Sequence, residues 1–315
     1  MKELPFKENY TLVLTHDVDH ISLKSYPVFS KSTLSFFKRA LLNNLVRMIK
    51  SDIKLRQYLD SIRWCLSYPF IKVGLIDDPW EKAIYDIITL ENKYGARSTF
   101  FFIPFKDKPG HVKVGIPAKG REAKYDVRDY KSLLCELESK GWEVGVHGID
   151  AHISENDAKE ELHVIKTLLP NKDKIGLRMH WLYQSENLWK NLKEAGFYYD
   201  ATFGSNDEAG FPDGKYQPFK QDDLWVIPLN IQDGTLLADW HKGLSLKDAW
   251  IEIEKILTVA KQEKAIVTVL WHTNVFGVYN YWGKLYEKIL QKAIFDNARI
   301  MKCIDVINEM EKGMT

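Results

Sequence analysis

The sequence predicts an α/β protein built on parallel strands, either an α/β barrel or a doubly wound sheet. Two observations carry this. Short apolar runs alternate with longer segments of helical period along most of the 315 residues. Repeated strand–helix–strand units of this kind imply parallel strands joined by right-handed crossovers. Several of the apolar runs also end abruptly in His, Asp, Asn or Arg, and the carboxyl ends of strands are where parallel α/β folds build their sites.

The first strand is Tyr10-Thr-Leu-Val-Leu-Thr, which stops at His16-Asp17-Val18-Asp19-His20. Residues 80–94 have helical spacing and end at Gly95, a residue suited to a C-cap. Ser98-Thr-Phe-Phe-Phe-Ile103 reads as a buried strand closed by Pro104. An amphipathic helix over 127–140 halts at Gly141, a strand over 142–146 leads into His147-Gly148, and a helix over 155–169 ends at Pro170. There follow a strand at 175–179, a helix at 185–195 before Gly196, and strands at 198–202 and 224–228. A long helix over 245–262 starts at a serine suited to an N-cap. Residues 265–271 form a strand, and the tail adds two helical stretches around a short strand at 299–301.

One stretch, about 24–76, breaks the alternation and reads as a helical insertion after the first strand of a single domain spanning 1–315. It carries Lys31, Lys38, Arg39, Arg47, Lys50, Lys54, Arg56 and Arg63 against only Asp52 and Asp60. Two readings stand: helices with a solvated basic face, or a surface that contacts an anionic membrane or an acidic carrier.

Composition narrows the function classes. A net charge of +1 gives no whole-protein case for nucleic acid. With 45% hydrophobic and 13% aromatic residues the chain is globular and not disordered. Cys65, Cys135 and Cys303 are widely spaced and odd in number, and read as reduced core thiols. The N-terminus is too polar for a signal peptide and no apolar run reaches membrane-spanning length, so the expected location is cytoplasmic, peripheral to a membrane if the basic insertion contacts one.

The chemistry-bearing clusters are Asp17/Asp19, then His147-Gly-Ile-Asp150-Ala-His152, Arg178-Met-His180-Trp181, Asn230-Ile-Gln-Asp233 and Trp271-His272. Two carboxylates at the mouth of a buried strand cost several kcal/mol unless a cation compensates. Hydrolytic zinc sites use two or three His and Asp ligands and leave a position open. Asp19, His147 and His152 supply that complement, which leaves Asp17 and His272 as acid–base candidates.

In their order and strand-end placement these motifs resemble those of the polysaccharide deacetylases, the family 4 carbohydrate esterases with a NodB homology domain. The resemblance spans nearly the whole chain outside the basic insertion. It implies a distorted (β/α) barrel that removes N-acetyl or O-acetyl groups from sugars with one divalent metal. His16-Asp17-Val18-Asp19 resembles the first family motif, which makes Asp17 the base and Asp19 a metal ligand. His147 and His152 resemble the paired-histidine motif, Arg178 the arginine that holds the base, and Trp271-His272 the motif whose histidine is the general acid. Two imidazoles and a carboxylate favour zinc, with nickel, cobalt or iron able to use the same ligands.

Two positions depart from the pattern. The histidines are five apart where the family places them four apart, so on a helix they would lie about 140° from one face. They can converge only from a loop, with Asp150 as the substitute for His152. Met179-His180-Trp181 stands where Pro-Tyr commonly follows the arginine, so His180 either contacts substrate or packs on Trp181. Asp233 either orients His272, binds a sugar hydroxyl or caps a helix, and His16 and His20 read as surface or supporting groups. Trp181, Trp240, Trp271 and Tyr279 are candidates to line or stack on a sugar. Expected partners are thus an acylated sugar, glycan or glycolipid. The alternatives are an amidohydrolase on another small amide or an acyl-carrier substrate, and a catalytically silent protein that binds a carbohydrate or a partner.

Overall fold

The computed structural model describes residues 9–277 and 281–313; Tyr279 lies outside the described residues. Among the described residues the first elements are β1 (Thr11–Val18), then α1 (Lys31–Phe37), a π-helical turn (Lys38–Asn43), α2 (Asn44–Ile49), α3 (Leu55–Lys72) and α4 (Pro79–Lys93). Next come β2 (Thr99–Phe102), a hairpin of β3 (His111–Lys113) and β4 (Ile116–Pro117), α5 (Lys131–Ser139), β5 (Glu143–Gly148) and α6 (Glu155–Leu168). They are followed by β6 (Gly176–Met179), α7 (Leu188–Ala195), β7 (Tyr199–Asp200), β8 (Phe219–Gln221), β9 (Leu224–Val226) and β10 (Ile231–Gln232). The last are α8 (Asp233–Leu237), α9 (Leu246–Glu263), β11 (Ile266–Leu270), α10 (Gly283–Phe295), β12 (Arg299–Met301) and α11 (Cys303–Lys312).

The main sheet runs β10-β11-β1-β2-β5-β6-β7-β9-β8, with β12 added against β1. Every pair in it is parallel except β8 with β9. The run from β9 to β10 pairs with β7 at its start and β11 at its end, so the sheet curls back on itself as a distorted barrel. Strands β1, β2, β5 and β6 are buried along their whole length, as expected of strands covered on both faces. Helices α4, α5, α6 and α7 cover one side of this sheet, while α8, α9 and α10 pack around β11.

The β8–β9 hairpin has no counterpart in the sequence reading. Asp222 and Asp223 both take left-handed φ values, 48° and 59°, and so make the tight two-residue turn that folds β8 back on β9. In the expected insertion, Phe36, Cys65 and Tyr68 pack with Leu23, Tyr26 and Trp80 into a separate small core. Some basic groups of the insertion turn toward the barrel, although Lys38 and its partner Asp239 are both more than half exposed. Lys38 lies 3.7 Å from Asp239, Arg39 sits over Trp240 and Trp282, and Arg47 over Trp282. Cys65 and Cys303 are buried thiols, but Cys135 is exposed on α5, so it is not a core residue. Among the described residues, no helix is long and apolar enough to cross a membrane.

Candidate metal centre and active site

The alternation of a strand explains why the end of β1 carries chemistry. Residues two apart share a face, so Thr15, Asp17 and Asp19 point the same way, into the mouth of the barrel. The same rule places Arg178 and His180 together at the end of β6. Pairing of His147 with Arg178 in the β5–β6 register brings the histidine alongside them.

Asp19, His147 and His180 each offer one ligand atom, and these atoms lie within 4.8 Å of one another. Asp19 Oδ1 is 3.2 Å from His147 Nε2 and 3.3 Å from His180 Nδ1, and the two imidazole nitrogens are 2.9 Å apart. Ligands bound at about 2.0–2.2 Å to one tetrahedral ion stand roughly 3.3–3.5 Å from each other. Asp19 Oδ1 is buried and accepts no hydrogen bond, an orphan that a cation would satisfy. The His147 ring is oriented for ligation because its Nδ1 donates to Arg178 O at 2.9 Å, leaving Nε2 facing the cluster. Burial pushes the His180 imidazole down, toward the neutral form that binds metals. Burial works against the Asp19 carboxylate, but the neighbouring His180 and His147 hold its pKa well below the usual range. The residues present therefore fit a single divalent cation.

Two acid–base pairs flank this cluster. Asp17 is buried, with Oδ1 accepting from Arg178 Nη1 at 3.1 Å and Oδ2 3.5 Å from His147 Nε2. Arg178 is itself fixed: it donates to Thr15 Oγ1 at 2.7 Å and to Ala201 O at 2.9 Å. On the other side, His272 Nδ1 lies 2.6 Å from Asp233 Oδ1, and the His272 backbone N–H donates to Asp233 Oδ2 at 2.8 Å. The free Nε2 faces Asp19 Oδ2 at 3.7 Å. Burial lowers the His272 pKa, but the charge and hydrogen bond of Asp233, with Asp19 and Asp17 beyond, outweigh it and push it up to about 10.

Three expected positions fall elsewhere. His152 is not in the three-residue group: a tight turn with Ile153 N donating to Asp150 O carries its ring to the β3–β4 hairpin, where Nε2 lies 3.2 Å from Val112 O. Asp150 does not replace it, because its carboxylate accepts from His111 N at 2.7 Å and pairs with Lys108 at 3.3 Å. His180, expected on substrate or against Trp181, supplies the second imidazole instead. Trp271 is fully buried against Tyr286, since it adjoins His272 and so points to the opposite face, and it cannot line a substrate. Trp181 is 44% exposed beside His180. It has a φ of 61° and Leu182 one of 53°, two successive left-handed residues that are costly for bulky side chains.

The sequence reading also missed two supports. Arg121, almost fully buried, donates to His180 O at 2.9 Å and Ile149 O at 3.2 Å and lies under Tyr183. Glu91 is a buried hub: Tyr286 Oη, Trp142 Nε1 and Ser98 Oγ donate to it, and His16 Nε2 lies 2.9 Å away. The other His16 nitrogen meets Trp271 O at 2.8 Å, so the hub ties together the residues just before Asp17 and His272. No local motif marks either residue, because each acts across many strands. His20 stacks on Trp80 behind the rim.

No protein-family model matches the chain, and no curated protein sequence matches it. Solved structures do share its fold. A putative polysaccharide deacetylase from Mycobacterium smegmatis superposes with a TM-score of 0.59 at 14% identity, covering 98% of this chain and 93% of its own. A probable polysaccharide deacetylase from Pseudomonas aeruginosa PAO1 gives 0.58 at 10% identity, over 97% and 92%. Puue allantoinase gives 0.58 at 11% identity, over 98% and 92%. The structural neighbours are thus polysaccharide deacetylases across nearly the whole chain, together with an allantoinase.

Proposed function

We propose that the protein is a metal-dependent deacetylase that hydrolyses an acyl group, in the first instance N-acetyl, from a sugar, glycan or glycolipid. One observation carries the reading: Asp19, His147 and His180 converge on one rim between a held carboxylate, Asp17 with Arg178, and a held imidazole, His272 with Asp233. A divalent cation bound by the three would polarise the acyl carbonyl and make a water acidic near neutral pH; zinc suits two imidazoles and one carboxylate, with nickel, cobalt or iron as the other candidates.

The rest is done by the chain's own groups. Asp17, fixed by Arg178, takes the proton of the attacking water. His272, kept protonated by Asp233 across neutral pH, delivers a proton to the nitrogen that departs, so the amide gives acetate and a free amine. Trp181, exposed beside the centre, offers a face on which a sugar ring stacks.

The fold alone does not choose between substrates, because it is shared with an allantoinase at the same TM-score. A small cyclic amide is therefore the second reading, and the exposed Trp181 favours the sugar. Mass spectrometry of N-acetylated glycans, glycolipids and allantoin after incubation with metal-loaded protein separates them. Loss of an acetyl mass from a sugar is expected. Turnover of allantoin alone overturns the sugar reading, and no turnover with no metal bound leaves a catalytically silent binding protein.

A further inference from the structure

We propose that α3 is a docking helix that seats the catalytic rim on an anionic phospholipid membrane, where the acylated sugar is carried on a lipid. The proposal rests on the deacetylase reading for the identity of the substrate, but the docking itself stands on the surface of the insertion. Among the described residues, thirteen of the twenty-two exposed large hydrophobic side chains lie between Val28 and Ile76. On α3 they form a stripe. Leu55, Leu59, Leu66 and Phe70 are 60%, 53%, 72% and 51% exposed. At 100° per residue they fall within about 60° of one another and extend over about 22 Å. The opposite face is already satisfied, with Ser61, Cys65, Tyr68 and Ile71 buried against the body of the protein. A single exposed leucine carries no information, but a continuous apolar stripe marks an interaction surface.

Charge identifies the occupant. Residues 24–76 hold ten of the chain's 44 Lys and Arg but only two of its 43 acidic residues. Arg39 and Arg47 lie over Trp240 and Trp282 and so hold the insertion against the barrel, while Lys38, 3.7 Å from Asp239, stays exposed. Arg56 and Arg63 are exposed and border the apolar stripe, as Lys50 and Lys54 do at its start. A second copy of the chain would set this positive surface against itself, whereas anionic headgroups beside an apolar interior complement both features. The location is right for presenting a lipid-borne sugar. The insertion follows the end of β1, just past which Asp19 lies, and Tyr281, beyond the loop that starts at His272, donates to Gln57 O on α3.

The test is flotation of the full-length, metal-loaded protein with vesicles of phosphatidylcholine alone or mixed with phosphatidylglycerol, at low and high salt. Each basic residue at such a surface contributes about fivefold in affinity, and each inserted leucine about tenfold. Wild type is expected on the mixed vesicles and to dissociate with salt. Leu59→Glu/Leu66→Glu should bind about a hundredfold more weakly, and Arg56→Glu/Arg63→Glu at least twenty-fivefold. Hydrolysis of a short soluble N-acetyl sugar should be unchanged in both, which also shows that they fold. Equal flotation of wild type and the leucine variant overturns the proposal, as does absence of flotation, or a dimer that the leucine variant dissolves without any vesicle binding. Salt-sensitive flotation of a protein that binds no metal and hydrolyses nothing supports docking and overturns the catalytic reading.

Discussion

Glu161 provides a quantitative test of how the turn behind the candidate metal centre is held. It is a buried carboxyl on α6 that accepts from Ile149 N at 3.1 Å and Asp150 N at 2.6 Å, immediately after His147-Gly148. Burial pushes its pKa up from the ordinary 4.5 to about 7, against the pull of those two N–H groups and of Lys108. The native state therefore keeps a proton that the unfolded state has released above pH 4.5. Stability is highest below that pH and falls as the pH rises through 7, because the unfolded chain binds fewer protons in this window. One pH unit of separation is worth ~1.4 kcal/mol, so the group removes about 3 kcal/mol between pH 4 and pH 8. Glu161→Gln cannot titrate and still offers a carbonyl oxygen to both N–H groups. Urea unfolding of both proteins across this range, in chelator so that metal affinity does not enter, should show wild type losing about 3 kcal/mol relative to the variant. A relative change under about 1 kcal/mol, or one of opposite sign, refutes the claim that this carboxyl is buried neutral.

The mechanism makes sharper demands on individual residues. Asp17→Asn should keep its metal while turnover drops by about 10²–10⁴, the usual cost of losing a general base; elemental analysis and acetate release check both halves. His180→Ala should lose metal affinity by at least about tenfold, whereas His152→Ala should retain it, and the reverse result would restore His152 as the ligand. Asp233→Asn removes the charge that holds His272 up at about 10, so the alkaline limb of kcat should move to lower pH and turnover should fall by about 10². An unchanged pH profile would take Asp233 out of the proton path.

Much of the barrel is legible in the sequence because its strands are buried on both faces and read as unbroken apolar runs between turn signals. The ends of those runs gave Asp17, Asp19, His147, Arg178 and His272 as a set, and the structure gathers them at one rim. The errors share a cause. His152 is near His147 in sequence, but a turn separates residues that spacing alone suggests are together. His180 follows β6 on the same face as Arg178, so the i, i+2 rule of strands pointed to it more directly than motif spacing did. The same rule turns Trp271 inward when His272 faces the site. The β8–β9 hairpin hid in a polar stretch because two aspartates, not glycines, take the left-handed turn. Arg121 and Glu91 were invisible because buried polar hubs are defined by distant hydrogen-bond partners, up to 59 residues away for Arg121 and 195 for Glu91.

The most direct test of the account is a metal titration of chelated, full-length protein followed by acetate release from a short N-acetylated sugar. Activity is expected to rise from baseline to a plateau at one equivalent of zinc per chain, and Asp19→Ala to stay at baseline throughout. Acetate release that is independent of added metal, or that survives in Asp19→Ala at the wild-type rate, would contradict it.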